Sequence, residues 1–378
     1  MHTKRNVFIA VFSFLILTIF VLYGTYYYIL DKQKILLDST YNLTNTNILK
    51  LTEKFLDNKI NTTLAIALSL VKDYELHKLM ATQEYDKFNY NDISQQIKDN
   101  TKFKNIWIQI IDKNGNSIYR SWSDKKGDNL FFRKDLKNFV EDKKVSTSIS
   151  VGLYSMTIKA RAPIIDEENN FLGALEIISQ FNSIANDLKE NKIDSVIIAD
   201  KKYNEIIQLP FSKIFIDDYY VANVNVNKEL ITYLQRNKIE KYLKINNYII
   251  ENNYLISKFD LYNNKNERLG YILNFVKLND IDIRIVESFK IQTIMISAIV
   301  LIIMLFLFLI YLYTSYLRLL KIQENKKEAI LNSQENIIVI TLGNEIIDAN
   351  QRLYDFFINT KDRSEEHTSE LQSRLFIS

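Results

Sequence analysis

The most constraining feature of this sequence is the uncharged apolar run Ile291–Leu317. A membrane hydrocarbon core about 30 Å thick needs roughly 20 residues of apolar helix to cross it, and this run is longer. Its tyrosines Tyr311, Tyr313 and Tyr316 suit a headgroup interface, where aromatic rings are enriched. The run therefore predicts a transmembrane helix with mixed sequence on both sides of it.

A second uncharged run, Val7–Leu30, begins shortly after Lys4 and Arg5. A secretory signal peptide has a shorter apolar core, which ends in small residues at the cleavage site. This run is longer and ends in the bulky residues Tyr26–Tyr28. It predicts an uncleaved membrane anchor, with a cleaved signal peptide as the alternative.

The basic residues that flank the two runs predict the topology. Lys4 and Arg5 precede the first run, and Arg318 and Lys321 follow the second. Because positive flanks stay in the cytoplasm, both termini are predicted to be cytoplasmic and the segment between the runs extracytoplasmic. The predicted divisions are a cytoplasmic N-terminus (1–6), a first span (7–30), an extracytoplasmic domain (31–290), a second span (291–317) and a cytoplasmic linker helix (318–329).

The composition excludes several classes of function. The net charge of +3 comes from scattered basic residues, so no nucleic-acid partner is predicted. Cysteine is absent, and the three histidines (His2, His77 and His367) are too dispersed for a metal site, so no metal and no cofactor are predicted. The chain also lacks a GxxxxGK[ST] or GxGxxG phosphate loop. We therefore expect no catalytic residue in this chain.

The extracytoplasmic segment begins with a helical pattern. From Asp31 to Asn114 there is no glycine or proline, and apolar residues recur every three or four positions. This predicts one long amphipathic helix, interrupted near residues 81–89 and followed by a second helix at about 91–102.

The pattern then changes to that of strands and turns. Asp112, Asn114 and Asn116 have the spacing of a calcium loop, but Ser117 and Ser123 stand where that loop needs glycine and glutamate, so a hairpin turn is favoured. The pattern predicts strands at 105–111, 117–122, 145–152, 154–163 and 171–179, with helices at 133–142 and 181–191, which together form a five-stranded antiparallel sheet.

A second unit follows at residues 192–290. The predicted elements are strands at 195–200, 205–209, 219–225, 248–252, 254–261 and 269–277, with helices at 228–236 and 278–290. The predicted fold class is α+β: two tandem antiparallel-sheet modules, 31–191 (membrane-distal) and 192–290 (membrane-proximal), on one long N-terminal helix between two transmembrane helices.

Three segments, 106–130, 151–166 and 171–188, resemble the double Cache (dCache) family of extracytoplasmic bacterial sensors. They share its order of a hairpin, an R-x-W…G-D-x-L stretch, a strand ending in proline, and G-x-x-E. The resemblance implies tandem PAS-like modules, a homodimer in the bacterial inner (plasma) membrane with a periplasmic sensor domain, and a ligand in the membrane-distal module.

The C-terminal segment is similar to the opening of a PAS domain at residues 330–362. The predicted elements are a strand at 337–341, a turn at Gly343-Asn344, a strand at 346–348 and a helix from Asn350. Residues 363–378, with the run RSEEHTSELQS, resemble a translated sequencing adapter, and a disordered polar tail is the alternative. We therefore expect the sequence to be a fragment whose output domain is missing.

Arg120 and Trp122 are candidate ligand contacts. They lie two residues apart at a strand end and share one face, and they offer a guanidinium fork for a carboxylate and an aromatic wall. An R-x-W pair also occurs in amino-acid-binding members of the family, in a tyrosine-rich context that this chain lacks. The alternative is that Trp122 is core and that Arg120 pairs with Asp124 or Asp128.

Lys159 and Arg161 share a face of one predicted strand, and Glu176 lies on its neighbour. These three residues complete an anion pocket in one interpretation, and form the solvated face of a half-exposed sheet in the other, which we favour.

These observations predict a transmembrane receptor for a small extracytoplasmic solute, an amino acid or a carboxylate. Through its PAS-linked output, the full-length protein is predicted to be a sensor histidine kinase that acts on a response regulator. A diguanylate cyclase sensor is the first alternative, and a membrane-tethered binding protein without output is the second.

Overall fold

The computed structural model describes residues 2–103, 106–343 and 345–361. The predicted adapter-like tail at 363–378, with His367, lies outside the described residues, as do Asn105 and Asn344 of the predicted strand and turn. The chain divides into two compact units, residues 35–285 and the flanking residues, which are described separately.

The first module of the unit 35–285 contains the predicted five-stranded antiparallel sheet, in the order β2-β1-β5-β4-β3. Its strands are β1 (Ile106–Asp112), β2 (Ser117–Arg120), β3 (Ser146–Val151), β4 (Met156–Ile165) and β5 (Phe171–Ser179). The helices up to the end of this module are α1 (His2–Leu70), α2 (Tyr74–Thr82), α3 (Asn91–Asn100), α4 (Lys134–Asp142) and α5 (Asn182–Glu190).

Alternation along the strands gives this sheet one apolar and one polar face. Ile106, Ile108 and Ile110 of β1 pack in the core that contains Ala67 of α1 and Leu76 of α2. The residues between these isoleucines therefore face the other side, where the candidate site lies.

The second module has a four-stranded antiparallel sheet in the order β6-β11-β10-β9 and a short two-stranded hairpin, β7-β8. Its elements are β6 (Asp194–Ala199), β7 (Phe215–Ile216), β8 (Tyr219–Tyr220), α6 (Lys228–Arg236), α7 (Glu240–Leu243), β9 (Tyr248–Glu251), β10 (Tyr254–Tyr262) and β11 (Arg268–Lys277). The predicted α+β class, with two antiparallel-sheet modules on one long helix, is confirmed.

Two strand predictions in this module were wrong. Residues 205–209 form turns, because Ile207 N–H bonds back to Tyr203 and Leu209 N–H donates to Leu153 of the first module. The strand predicted at 219–225 stops early, because the Asn223 side chain accepts from Ile197 N–H at 2.9 Å in place of a backbone partner.

Buried polar contacts join α1 to both sheets. Thr63 Oγ1 donates to Ser179 Oγ of β5 at 2.8 Å. Asn274 Nδ2 of β11 donates to Thr52 Oγ1 at 3.1 Å. The helix has one additional break, at Leu70, because Asp73 caps the new helix α2 by accepting from Glu75 N–H at 3.1 Å. The predicted interruption near 81–89 is also present, between the end of α2 at Thr82 and the start of α3 at Asn91.

Two helices are long and apolar enough to cross a membrane: α1, of which the flanking unit contains the part up to Lys34, and α8 (Arg284–Asn332). Phe14 and Phe308 stack with ring centroids 4.3 Å apart, and Thr25 Oγ1 donates to Ser297 Oγ at 3.0 Å. The helix predicted at 278–290 is instead a 3-10 turn, Leu278–Asp280, followed by the start of α8.

The described C-terminal residues form a hairpin and a helix, where the PAS-like pattern predicted them. The buried Asn350 holds them together: its Nδ2 donates to Asn336 O at 2.8 Å, and its Oδ1 accepts from Ile338 N–H at 3.0 Å. The elements are β12 (Val339–Leu342), β13 (Glu345–Ala349) and α9 (Gln351–Lys361).

Candidate functional site

A row of four polar residues crosses the polar face of the first sheet. Strand register places Arg161 of β4 opposite Glu176 of β5, Glu176 opposite Gln109 of β1, and Gln109 opposite Arg120 of β2. All four are buried, with exposures from 0% for Glu176 to 7% for Arg120. Buried charges need partners. The row is therefore part of a buried polar network, and the solvated sheet face favoured in the sequence analysis is wrong.

Glu176 lies at the centre of this network. It accepts from Arg161 Nε at 2.5 Å and from both terminal nitrogens of Arg133 at 2.9 and 2.6 Å. Asp135 of α4 bonds to Arg161 and lies 3.3 Å from Arg133. Burial alone would raise the pKa of Glu176, but the two arginines outweigh it and lower the pKa to about 2.

Arg120 is occupied by a different carboxylate. Its guanidinium makes a bidentate pair with Asp128, at 2.7 and 2.9 Å, and also donates to Lys125 O at 2.6 Å. Of the two partners that the sequence suggested, Asp128 is the one observed. Trp122 stacks on Trp107 with centroids 4.7 Å apart, and Tyr154 meets Trp122 edge-on at 6.0 Å.

Lys159 is the cation of this face that lacks a carboxylate. Its side chain is 3% exposed and donates to Ser150 Oγ at 2.7 Å. No carboxylate of the described residues lies within 4.0 Å of Lys159 Nζ. Burial, reinforced by the charge of Arg133, lowers the pKa of Lys159 to about 7.

A cavity of about 370 Å³ opens over this face. Trp107, Trp122 and Tyr154 supply its aromatic wall, and Lys159 and Arg133 are buried cations on its surface. A neighbouring cavity of about 480 Å³ lies between α4, β3 and the turn between β10 and β11.

The five sequence-predicted site residues do not all reach one cavity. Arg120, Trp122 and Lys159 line the first, and Arg161 lines the second. Glu176 lines neither and lies within the ion-pair network.

Several residues of the site were missed by sequence reasoning. Trp107 had a usable signal, because in the strand Ile106–Asp112 it alternates with the buried isoleucines. Arg133, Asp135 and Tyr154 gave no comparable signal, since they lie at a helix start and in a turn and reach the site through tertiary contacts.

The charges on and under this face do not balance. Each guanidinium can be matched with one carboxylate: Arg120 with Asp128, Arg133 with Glu176, and Arg161 with Asp135. The ammonium of Lys159 remains. When Lys159 is protonated, the site therefore has one excess positive charge beside an aromatic wall, which suits an anion with an apolar body.

Comparison with known proteins found similarity to solved structures only. No protein-family model matches the chain, and no curated protein matches it. Similar solved structures include the sensor domain of the Vibrio cholerae histidine kinase DctB (13% identity, 62% of this chain and 96% of that chain, TM-score 0.38). Another is the ligand-binding domain of the Campylobacter jejuni chemoreceptor Tlp3 with L-valine (12% identity, 66% and 97%, TM-score 0.39).

A third similar structure is a domain of a sensory box/GGDEF family protein from Vibrio parahaemolyticus (11% identity, 65% and 99%, TM-score 0.37). The two antiparallel sheets that follow one another along α1 are those that the sequence predicted. Residues 35–285 thus contain the two tandem antiparallel-sheet modules that the resemblance to double Cache sensors implied. The polar face of the first sheet carries the candidate site.

Proposed function

We propose that this protein is a membrane-anchored receptor that binds a small carboxylate on the extracytoplasmic side. The observation that carries the proposal is the excess positive charge that Lys159 supplies, when it is protonated, in the aromatic-walled cavity. A bound carboxylate would neutralise this charge with a charge-assisted hydrogen bond. The apolar part of the ligand would contact Trp122 and Tyr154.

The charge balance favours a ligand with one net negative charge over a zwitterion. An amino acid brings an ammonium group that needs its own acceptor. Of the two carboxylates that line the cavity, Asp128 is already engaged by Arg120, and Glu205 is exposed to solvent. An amino acid is nevertheless the second candidate, because the similar Tlp3 domain was solved with L-valine.

For the output we propose a sensor histidine kinase, with a diguanylate cyclase as the alternative. The support is the PAS-like hairpin after α8, in which the Asn350 side chain bonds to Asn336 and Ile338. Ligand binding can bias such an output only through a difference in affinity between two receptor states. The signal would pass along α8, which contains the second apolar span.

The binding proposal is tested with the full chain in lipid nanodiscs. The chain has two tryptophans, Trp107 and Trp122, and both line the cavity, so intrinsic fluorescence reports on this site. Isovalerate and L-valine are a matched pair that differ by the ammonium group. We expect isovalerate to bind more tightly. We also expect Lys159→Met to weaken binding about tenfold or more, since a hydrogen bond to a charged group contributes about 1.5–3 kcal/mol.

A panel of aliphatic and aromatic monocarboxylates and amino acids extends the titration. If no member of the panel changes the fluorescence or produces heat of binding, the proposed function is wrong. If binding is unaffected by Lys159→Met, the carboxylate contact is assigned to the wrong residue.

A further inference from the structure

The side chain of Lys159 combines two properties that rarely occur together. It lines a cavity that a ligand can enter, and yet it is buried, with an exposure of 3%. Its hydrogen-bond partner is the neutral Ser150 hydroxyl, at 2.7 Å. A charged ammonium in this position is therefore poorly compensated until an anion arrives.

The charged groups around Lys159 come from every element packed against it. Arg161 lies on its own strand, Glu176 on β5, Arg120 on β2, Asp135 on α4, and Arg133 just before α4. Glu176 and Asp135 favour the charged form of Lys159, but they are bound to Arg133 and Arg161.

Two further charged residues, Lys125 and Glu205, line the cavity and are exposed. They carry opposite charges at the solvent side, where screening is strong. The balance at Lys159 is therefore set by the buried groups, and these leave its ammonium without a carboxylate of its own.

We infer that the receptor binds its carboxylate together with a proton, and that Lys159 is the residue that takes up this proton. The inference rests on the proposed function and adds a regulation to it: the occupancy of the site depends on pH as well as on carboxylate concentration. The free site holds a largely neutral amine at mildly alkaline pH, and the arriving carboxylate stabilises the ammonium.

The expected size of the effect follows from linkage. With a pKa of about 7 in the free site, Lys159 is about half protonated at pH 7. If the bound site is fully protonated, isovalerate binding takes up about 0.5 proton at pH 7 and about 0.9 at pH 8. The dissociation constant then rises about fivefold from pH 7 to pH 8, because the neutral amine must first be protonated.

The test is calorimetric titration of the full chain in nanodiscs with isovalerate, in buffers of different ionisation enthalpy. The dependence of the heat on the buffer gives the number of protons taken up. The Lys159→Arg variant keeps the positive charge at every pH in this range, so it is expected to bind without proton uptake. Lys159→Met is expected to lose most binding.

Lys59→Met is the matched control. Lys59 is also a buried lysine whose pKa is lowered to about 7, but it lies on α1 and not at the cavity. We expect this variant to bind isovalerate with unchanged proton uptake.

The outcomes separate the two proposals. Binding of isovalerate with less than about 0.1 proton taken up at pH 8 would overturn the inference and leave the proposed function intact. Uptake that persists in Lys159→Arg would place the proton on another group, which also overturns it. Absence of any carboxylate binding would overturn the proposed function itself.

Discussion

Glu176 is the residue on which the buried charge network depends. It is fully buried, and its two oxygens accept from two arginines. Such a network does not have to add net stability, but removing one partner leaves uncompensated buried charge. Its clearest effect is to fix the position of Arg133, which lines both cavities.

We predict that Glu176→Gln lowers the free energy of unfolding by about 3 kcal/mol, because Arg133 and Arg161 then share one fewer carboxylate. Urea denaturation followed by circular dichroism measures the change. The control is Glu190→Gln, which removes an exposed pair with Lys102 at 2.9 Å and is expected to cost less than about 1 kcal/mol. Equal losses in the two variants would show that the buried network is not structurally important.

Because Glu176 is ionised in the folded protein, we predict that the free energy of unfolding decreases in acid. The pKa of Glu176 in the folded protein is lowered from 4.5 to about 2, so its contribution is complete above pH 4.5 and is lost as the pH falls towards 2. Thermal unfolding of wild type and Glu176→Gln between pH 2 and pH 6 tests this. The difference between the two curves should shrink with acidification.

At the scale of elements, the face of α1 that packs on the two modules contains polar residues among apolar ones. Thr52, Lys59 and Thr63 are buried there together with Ile48 and Leu56. Lys59 Nζ lies 4.3 Å from the centroid of the Phe103 ring and has no hydrogen-bond partner among the described residues. Burial lowers its pKa to about 7, against the attraction of Asp187.

We predict that Lys59→Met stabilises the protein near pH 7 and removes a pH dependence. In wild type the unfolded state binds more protons between pH 7 and the ordinary lysine pKa of 10.5, so stability rises with pH in this window. Lys59 contributes at most about 1.4 kcal/mol per pH unit to this slope, and the buried Lys159, whose pKa is also lowered to about 7, contributes a separate part that the variant keeps. Urea denaturation at pH 7, 8 and 9 measures it, with the exposed Lys50→Met on the same helix as control. A slope in Lys59→Met equal to that of wild type would contradict the assignment.

The pairing of β1 with β5 depends on a glycine. Gly173 lies opposite Asp112, and a methyl group added to it would lie 2.2 Å from the carbonyl oxygen of Ile111. Since that oxygen belongs to the backbone of the neighbouring strand β1, the clash cannot be relieved by a side-chain rotation.

We therefore predict that Gly173→Ala costs about 3 kcal/mol or more of unfolding free energy and reduces carboxylate binding, because β1 and β5 carry Gln109 and Glu176 of the site. Gly127→Ala is the comparison: no atom lies within 4 Å of its added carbon, so only the strain of its φ of +86° remains, about 1 kcal/mol. Chemical denaturation and the tryptophan titration measure the two effects.

At the scale of the whole molecule, two helices are long and apolar enough to cross a membrane, and two tandem antiparallel-sheet modules occupy residues 35–285. Which side of the membrane each part occupies is predicted from the basic flanks alone. A direct test is easy because the chain contains no cysteine, so a single introduced cysteine labels without background.

We predict that Asn252→Cys in intact spheroplasts reacts with a membrane-impermeant maleimide, and that Asn325→Cys reacts only after permeabilisation. Both side chains are exposed, so burial does not limit labelling. The opposite pattern would place the carboxylate site in the cytoplasm and exclude an extracytoplasmic receptor.

The sequence by itself determined the features that depend on the local spacing of apolar residues and on the length of apolar runs. The uncharged runs predicted the two apolar helices, and the alternation of apolar and polar residues predicted all five strands of the first sheet. The strand wrongly predicted at 205–209 and the strand predicted to run too far at 219–225 are places where non-local bonds, such as Ile197 N–H to the Asn223 side chain, replaced strand pairing.

Tertiary structure alone decided the chemistry of the site. Alternation put Lys159, Arg161 and Glu176 on neighbouring strands, but the partners of these charges come from distant segments, as when Arg133 binds Glu176. Sequence period determines which face a side chain occupies, and it does not specify which opposite charge meets it. For that reason only the packing of α4 against the sheet shows that each arginine has a carboxylate partner and that Lys159 has none.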